Sequence, residues 1–487
     1  MGKNLVNAIT SVPCPHWTTE RLTSRIVHLG CGAFHRAHQA LYTHHVLEQT
    51  DSDWGYCEVN LTLNGVSLIE NLKKQSMRYT VSEKGQGKTT LKIIGSMKEG
   101  MHPLIDGAQA IIEKMANPDV AIISLTITEK GYCTDATTGR LDPNNELIIK
   151  DIANPAVPRS AIGYITAALK LRFERSLPAV TILSCDNVRE NGHVAREAVL
   201  GLARLQDEKL AQWIEKQVTF PCTMVDRIVP AATPETLTEI AQQLGVADPC
   251  AIACEPFRQW VIEDNFVNGR PDWDLAGAQF VDDVAPFEMM KLRMLNGAHS
   301  FLAYLGYLGG YAYISDTMKN ADYRQAVYAL MLNEQAPTLS MPEDSDLMAY
   351  ADKLIERFTN PALKHQTGQI AMDGSQKLPQ RVLDSIEWHL VQGNDYRHLA
   401  LGVAGWIRYI SGVDEQGQPI DVRDPLKETF AAIFAKYGHS VAVVEALLAI
   451  ESIFGKELAK NRDFIDNVTK AYQNLLNVGA RQAVAAL

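Results

Sequence analysis

The chain has 487 residues, 46% hydrophobic and 21% charged, enough apolar material for more than one sizeable core. A formal net charge of −11 argues against a general nucleic-acid or anionic-membrane binder, while a local basic pocket for an acidic small molecule stays open. The eight cysteines are scattered, so reduced thiols are expected; only Cys250 and Cys254 lie close together, and no second pair completes a zinc site.

The opening stretch MGKNLVNAITSVPCPHW has no apolar h-region and no cleavage pattern, so no signal peptide is expected. Val6 stands where N-myristoylation wants Ser or Thr. No apolar run approaches the roughly 18 residues of a membrane span. A cytoplasmic location is the expectation, with no membrane or nucleic-acid partner and with monomer a plausible state.

Arg25 to Leu29 forms a short apolar strand that ends in Gly30-Cys31-Gly32-Ala33-Phe34-His35 and runs into the helical segment RAHQALYTHHVLEQ. Strand, glycine turn and helix open a dinucleotide-binding unit, in which glycines let the backbone approach a pyrophosphate. His35 occupies the place of the third glycine, which serves close helix–strand packing. Alone, such a turn is as often a plain surface turn. Gly30, Gly32, Ala33, Phe34 and Arg36 are the candidate cofactor contacts, with Asn60 at the end of the next strand. The acidic residue expected about 20 positions on is missing from that strand end, where Asn60 and Asn64 stand and no Arg appears. Charge there does not choose between NAD and NADP.

The remaining elements follow in alternation. Strands are expected over 54–63, 79–81, 91–94, 120–126 and 179–184, and helices over 66–75, 105–115 and 160–175. This pattern predicts an α/β domain with a mostly parallel sheet. Residues 257–283, rich in aromatic, acidic and glycine residues, read as connecting structure. Helical periodicity then dominates, over 286–310, 321–335, 345–358, 377–392, 396–411 and 440–453. The expected organisation is therefore a Rossmann-type dinucleotide domain over 1–285 and a mainly helical domain over 286–487.

The segment KLRMLNGAHS, preceded by Glu288, carries the chemistry. On an α-helix Glu288, Lys291, Asn296 and His299 fall within an arc of about 140°. Lys291 and His299 would stand about 12 Å apart along the axis. An amine, an amide and an imidazole on one face make a proton-handling set; a solvated helix face has the same composition. The run HRAHQALYTHH has HxxH spacing without HExxH or a carboxylate triad, so no metal is expected there.

Seven collinear motifs, IVHLGCGAFHRAHQA, SLTITEKGY, ILSCDNVRENG, FPCTMVDRIVPAAT, CEPFRQWVIEDNF, KLRMLNGAHSFLAYLG and DGSQKLPQR, together resemble the mannitol dehydrogenase family of polyol-specific long-chain dehydrogenases. The resemblance covers nearly the whole chain. It implies a Rossmann-type N-terminal domain, a helical C-terminal domain and a metal-independent site. The wording is nearest to the branch that interconverts D-mannonate and D-fructuronate with NAD(H) in hexuronate breakdown. By the resemblance, Lys291 is the general acid/base and Asn187 and Asn296 are oxyanion donors. His299 helps bind substrate, Glu288 exchanges protons with solvent, Asp226 lies near the site and Lys377 contacts substrate. Gln369 departs from the Arg common in the polyol enzymes, and Gln366 and Gly368 depart from the basic and aromatic residues usual in the sugar-acid branch, which leaves this loop's contacts open.

The residues are consistent with that chemistry. An amine acts as a base only when neutral, which requires a site that lowers its pKa from about 10.4. Neutral amide donors stabilise a developing oxyanion without competing for its proton, each by roughly 3 kcal/mol. A sugar acid also needs a cation for its carboxylate; Arg258, Lys377, Arg381 and Arg408 are candidates, with Lys377 preferred. The competing expectations are an NAD-dependent polyol dehydrogenase acting on mannitol or arabinitol, and a non-catalytic nicotinamide-binding protein. A zinc dehydrogenase lacks its Cys/His cluster.

Overall fold

The computed structural model describes residues 12–135 and 138–487. The expectations placed on the first eleven residues lie outside that range. The chain divides into two compact units, Met1–Ala285 and Pro286–Leu487. No helix among the described residues is long and apolar enough to cross a membrane.

The first unit is built on five parallel strands. β1 (Thr23–Leu29) pairs with β2 (Trp54–Val59), and among the described residues nine further strands follow in chain order: β3 (Tyr79–Lys84), β4 (Thr89–Ile94), β5 (Met97–Met101), β6 (Ile122–Leu125), β7 (Thr181–Ser184), β8 (Thr223–Asp226), β9 (Ile252–Cys254), β10 (Gln259–Glu263) and β11 (Gln279–Val281). The main sheet has the order β5-β2-β1-β6-β7, every neighbour parallel. The order reverses between β1 and β6, and doubly wound sheets place their ligand crevice at that point, outside the strands' carboxyl ends.

Burial explains why these strands read as apolar runs. Ile26 to Leu29, Ile122 to Leu125 and Thr181 to Ser184 are buried without interruption, as strands covered on both faces must be. Side-chain alternation still sorts them. Val27, Leu29, Cys57, Val59, Ile123 and Leu125 join one core with the helices Ala108–Met115, Ala161–Glu174 and Asn191–Gln206. Ile26, Tyr56 and Ile122 join the other, with Trp260, Trp273 and the helices α1 (Ala33–Ala37) and α2 (Gln39–Gln49). His28 and Glu58 therefore point to the α1 side.

Several short elements differ from expectation. Residues 257–283 are more than a connection: β10 and β11 lie there, and β10 pairs antiparallel with β8. β5, β8 and β9 were not expected either; β9 and β11 are three residues each, too short to show alternation. Gly107, at φ +83°, splits the helix expected over 105–115 into Pro103–Asp106 and Ala108–Met115.

The second unit is helical. Its axis is the run Ala285–Leu308, in which every residue of Gly297–Leu308 except Tyr307 is buried. Arg397–Ile410 packs against it, and Gly405 allows the approach: a Cβ there would stand 2.9 Å from Leu305. Three segments, Lys291–Asn296, Leu330–Gln335 and Pro379–Leu383, widen to π-helix, a form frequent at functional sites.

Candidate active site

In the first unit the glycine turn closes onto the end of β6. Gly30 has φ +101°, and a Cβ on it would stand 2.0 Å from the Thr126 carbonyl oxygen, so no side chain fits. Gly32 precedes the first turn of α1, and only the Gly30 carbonyl comes within 4 Å of its Cβ position. The cradle is shaped for a backbone-bound phosphate at the switch point, and the residues fit a dinucleotide. Ala33 and Phe34 follow directly, with the Phe34 ring stacked on His38 at 4.9 Å. Asn60 directly follows β2 and accepts hydrogen bonds from the Thr62 amide and hydroxyl at 3.0 and 2.9 Å.

Arg36 is hydrogen-bonded into the turn itself. Its guanidinium donates to the Gly32 carbonyl at 3.2 Å and the Cys250 carbonyl at 2.7 Å, and the side chain is buried. It braces the turn through these two carbonyls.

The loop after β7 carries Asn187. The preceding Asp186 accepts from the amides of Ile127 and Thr128 at 3.1 and 2.8 Å and from the Tyr132 hydroxyl at 2.6 Å. Burial still pushes the Asp186 carboxyl up, with those three hydrogen bonds opposing it. Thr128 sits at φ +63°, a costly conformation for a β-branched residue, and Asp186 holds it there. Asn191 then donates to the carbonyls of Asp186 and Thr223, both at 3.0 Å, tying the loop to β8. Asp226 ends β8 and is buried. Sequence reasoning named Asn187 and Asp226 but missed Asp186 and Asn191, whose only signal was two more turn-forming side chains in SCDNVREN.

In the second unit the wide turn changes the geometry expected for Lys291 and Asn296. The Gly297 amide donates to the Leu292 carbonyl, five residues back. With i→i+5 bonding, residues five apart lie nearly above one another. Lys291 and Asn296 thus share a face more closely than the 140° separation of an α-helix would allow. Glu288 precedes the wide turn, and His299 follows it on the buried stretch.

His299 lies near three cationic side chains and a second histidine. Burial drives its pKa well below the ordinary value, and His365, Arg357, Arg381 and Lys377 push it further in that order. Its ring lies 4.8 Å from Phe358 and 5.4 Å from His365. Lys377 is itself lowered, by burial and then by Arg381. Its ammonium donates to the Ile370 carbonyl at 3.3 Å, and Arg381 reaches the Ser300 hydroxyl at 3.3 Å. Sequence reasoning named Arg381 without preferring it, and did not name Arg357 or His365. Arg258 lies in the other unit over the Tyr42 ring, and Arg408 donates to the carbonyls of Val413 and Asp414. A cavity of about 650 Å³ elsewhere in this unit, lined by Asp322, Asn333, Glu334, Arg397 and His398, contains none of these groups.

One buried group of the first unit, His28, His35 and Glu58, has the composition of a metal site. The two rings are stacked flat, 3.4 Å apart at 12°, and every ring nitrogen already has a hydrogen-bond partner. That donor set is a hydrogen-bond network, since side-by-side lone pairs do not converge on one ion.

A five-stranded doubly wound domain with a glycine cradle, joined to a helical domain bearing a lysine–asparagine–histidine set, defines a two-domain dehydrogenase. The model of the mannitol dehydrogenase Rossmann domain matches residues 24–275, and that of the mannitol dehydrogenase C-terminal domain matches residues 283–476. The chain belongs to the mannitol dehydrogenase family and is an oxidoreductase acting on a secondary alcohol. It is 67% identical to D-mannonate oxidoreductase of Escherichia coli (strain K12), over 99% of each chain. The solved Pseudomonas fluorescens mannitol 2-dehydrogenase, a ternary complex with NAD and D-mannitol, matches with TM-score 0.82 and 36% identity, over 100% of this chain and 99% of that one. A crystal structure of D-sorbitol dehydrogenase in substrate-free form matches with TM-score 0.92 and 32% identity, over 99% and 100%.

Proposed function

We propose that this enzyme interconverts D-mannonate and D-fructuronate with NAD(H), as a step of hexuronate breakdown. The observation that carries the choice of a sugar acid over a neutral polyol is the set of cationic side chains near His299: Arg357, Arg381 and Lys377. Arg381 and Lys377 can meet a carboxylate with charge-assisted hydrogen bonds, which a neutral polyol does not offer. The 67% identity to D-mannonate oxidoreductase supports the same choice.

The Gly30–Gly32 turn would hold NAD(H), which when bound would supply the two-electron acceptor for the alcohol carbon or the donor for the ketone. Lys291 takes the proton of the reacting hydroxyl in oxidation and returns it to the carbonyl oxygen in reduction. Asn187 and Asn296 donate hydrogen bonds to that oxygen as its charge develops. His299, kept neutral by its burial, binds a substrate hydroxyl. Glu288 passes protons between Lys291 and water, Asp226 orders the substrate's surroundings, and Lys377 takes part in holding the carboxylate. No metal enters this scheme.

The test compares Lys377→Gln with wild type on D-mannonate and D-mannitol. The reading predicts that kcat/KM falls about tenfold or more on the acid and by much less on the polyol, since a charge-assisted contact is lost only with the acid. Equal losses on both would count against the carboxylate assignment.

A further inference from the structure

The protonation state of the buried network behind the glycine turn can be derived from one fixed point, the Gln259 carbonyl, which can only accept. His38 Nε2 lies 2.8 Å from it and must donate. Burial keeps this imidazole neutral, its pKa pushed down to about 3, so His38 Nδ1 is a lone pair. That lone pair faces Gln39 Nε2 at 2.8 Å and accepts from it. The reversed amide would set an oxygen against the lone pair, so the Gln39 orientation follows. Gln39 Oε1 then accepts from His35 Nδ1 at 3.2 Å. The remaining nitrogen, His35 Nε2, lies 2.8 Å from Glu58 Oε1.

Nitrogen lone pair and carboxylate oxygen cannot stand that close without a proton between them. The pair therefore holds one, either as carboxylic acid and imidazole or as imidazolium and carboxylate. Its net charge is zero in both forms. Both side chains are fully buried, which disfavours the ionised form.

The network reaches the cofactor turn through His28. Its ring is stacked on His35 at 3.4 Å, and its Nε2 bonds Thr126 Oγ1 at 2.8 Å. Thr126 Oγ1 in turn donates to the Gly30 carbonyl at 2.7 Å. Losing the shared proton would leave a buried negative charge directly behind a turn built to receive a pyrophosphate.

We propose that His35 and Glu58 are positioning residues of the dinucleotide site, and that the turn binds its cofactor well only while their shared proton is in place. This rests on reading that turn as the NAD site. His35, in the place of a fingerprint glycine, thereby serves binding as well as packing. The groups facing the pair are His28 from β1, Cys31 from the turn, Arg36 from α1, Tyr56 and Cys57 from β2, and Tyr79 from β3. Burial dominates them and pushes the Glu58 carboxyl up to about 7, so the proton leaves within an accessible pH range.

The experiment is an NADH titration by fluorescence, without substrate, from about pH 6 to 9, on wild type, Glu58→Gln and Glu58→Ala. The wild-type Kd is expected to rise about tenfold or more between pH 7 and 8.5. Glu58→Gln, whose amide donates to His35 Nε2 at every pH, should bind NADH with a Kd flat across the range. Glu58→Ala should bind weakly throughout. A flat wild-type profile, or one shared by Glu58→Gln, overturns the proposal. Should Glu58→Gln not fold, infrared spectroscopy of the wild type decides. A protonated-carboxyl band at pH 6 that bleaches toward pH 9 while NADH affinity falls supports the proposal, and its absence overturns it. Failure of the folded wild type to bind NADH at any pH sinks the cofactor reading, and the proposal with it.

Discussion

Gln335 donates its side-chain amide to the Arg381 carbonyl at 2.8 Å, joining two of the three π-helical segments beside the third. Gly297 lies against both partners: a Cβ there would stand 2.6 Å from Gln335 Nε2 and 2.8 Å from the Arg381 oxygen. The helix bearing Lys291 and Asn296 is seated by that glycine. Gly297→Ala is therefore expected to shift the helix and lower kcat, by about 100-fold for a displacement near 1 Å. Steady-state kinetics beside far-UV circular dichroism would separate this from unfolding; a folded variant with wild-type kcat would contradict it.

Lys291→Ala should lower kcat by about 10²- to 10⁴-fold, the usual contribution of a positioned proton-transfer group. Lys291→Arg should be no better, because a guanidinium cannot give up its proton in this pH range. Activity recovered by the arginine variant would mean that Lys291 acts only through its charge.

Gly30→Ala should abolish NADH binding. The residue is at φ +101°, and its Cβ position is 2.0 Å from backbone oxygen of Thr126, so neither strand can yield without opening the switch point. Fluorescence titration reads the outcome directly, and near-normal affinity would show the turn to be misassigned.

Stability should fall as pH drops below about 6.5, the ordinary histidine value. Folded His28 and His299 are held well below that value, and His38 near 3, all chiefly by burial. Below 6.5 the unfolded chain takes up protons that these sites refuse, so each contributes up to about 1.4 kcal/mol of lost stability per pH unit. Above 6.5 both states are neutral at these positions and the effect is absent. Thermal melts between pH 7.5 and 5 test this, and a Tm unchanged or rising toward pH 5 would contradict it.

The parallel strands and the glycine turn were legible because buried apolar runs and positive-φ glycines leave local marks. Ile26 to Leu29 and Gly30 show this. Three kinds of feature left no such mark. The π insertion at Lys291–Asn296 keeps ordinary helical composition, and only the Gly297-to-Leu292 hydrogen bond reveals it. The groups around His299 come from residues 357, 365, 377 and 381, brought together by packing that periodicity cannot encode. His35 looked like a defect in a glycine fingerprint, whereas Glu58, a strand away on the same face, makes it a partner. The place of Arg36 beside the turn suggested a ligand contact, and its hydrogen bonds to the carbonyls of Gly32 and Cys250 could not be foreseen from the sequence.

The most direct measurement is NADH oxidation at neutral pH with D-fructuronate and D-fructose in parallel, with and without EDTA, for wild type and Lys291→Ala. The account predicts turnover of D-fructuronate well above that of D-fructose, indifferent to EDTA and lost in the variant. Preference for D-fructose would contradict it and make the enzyme a polyol dehydrogenase.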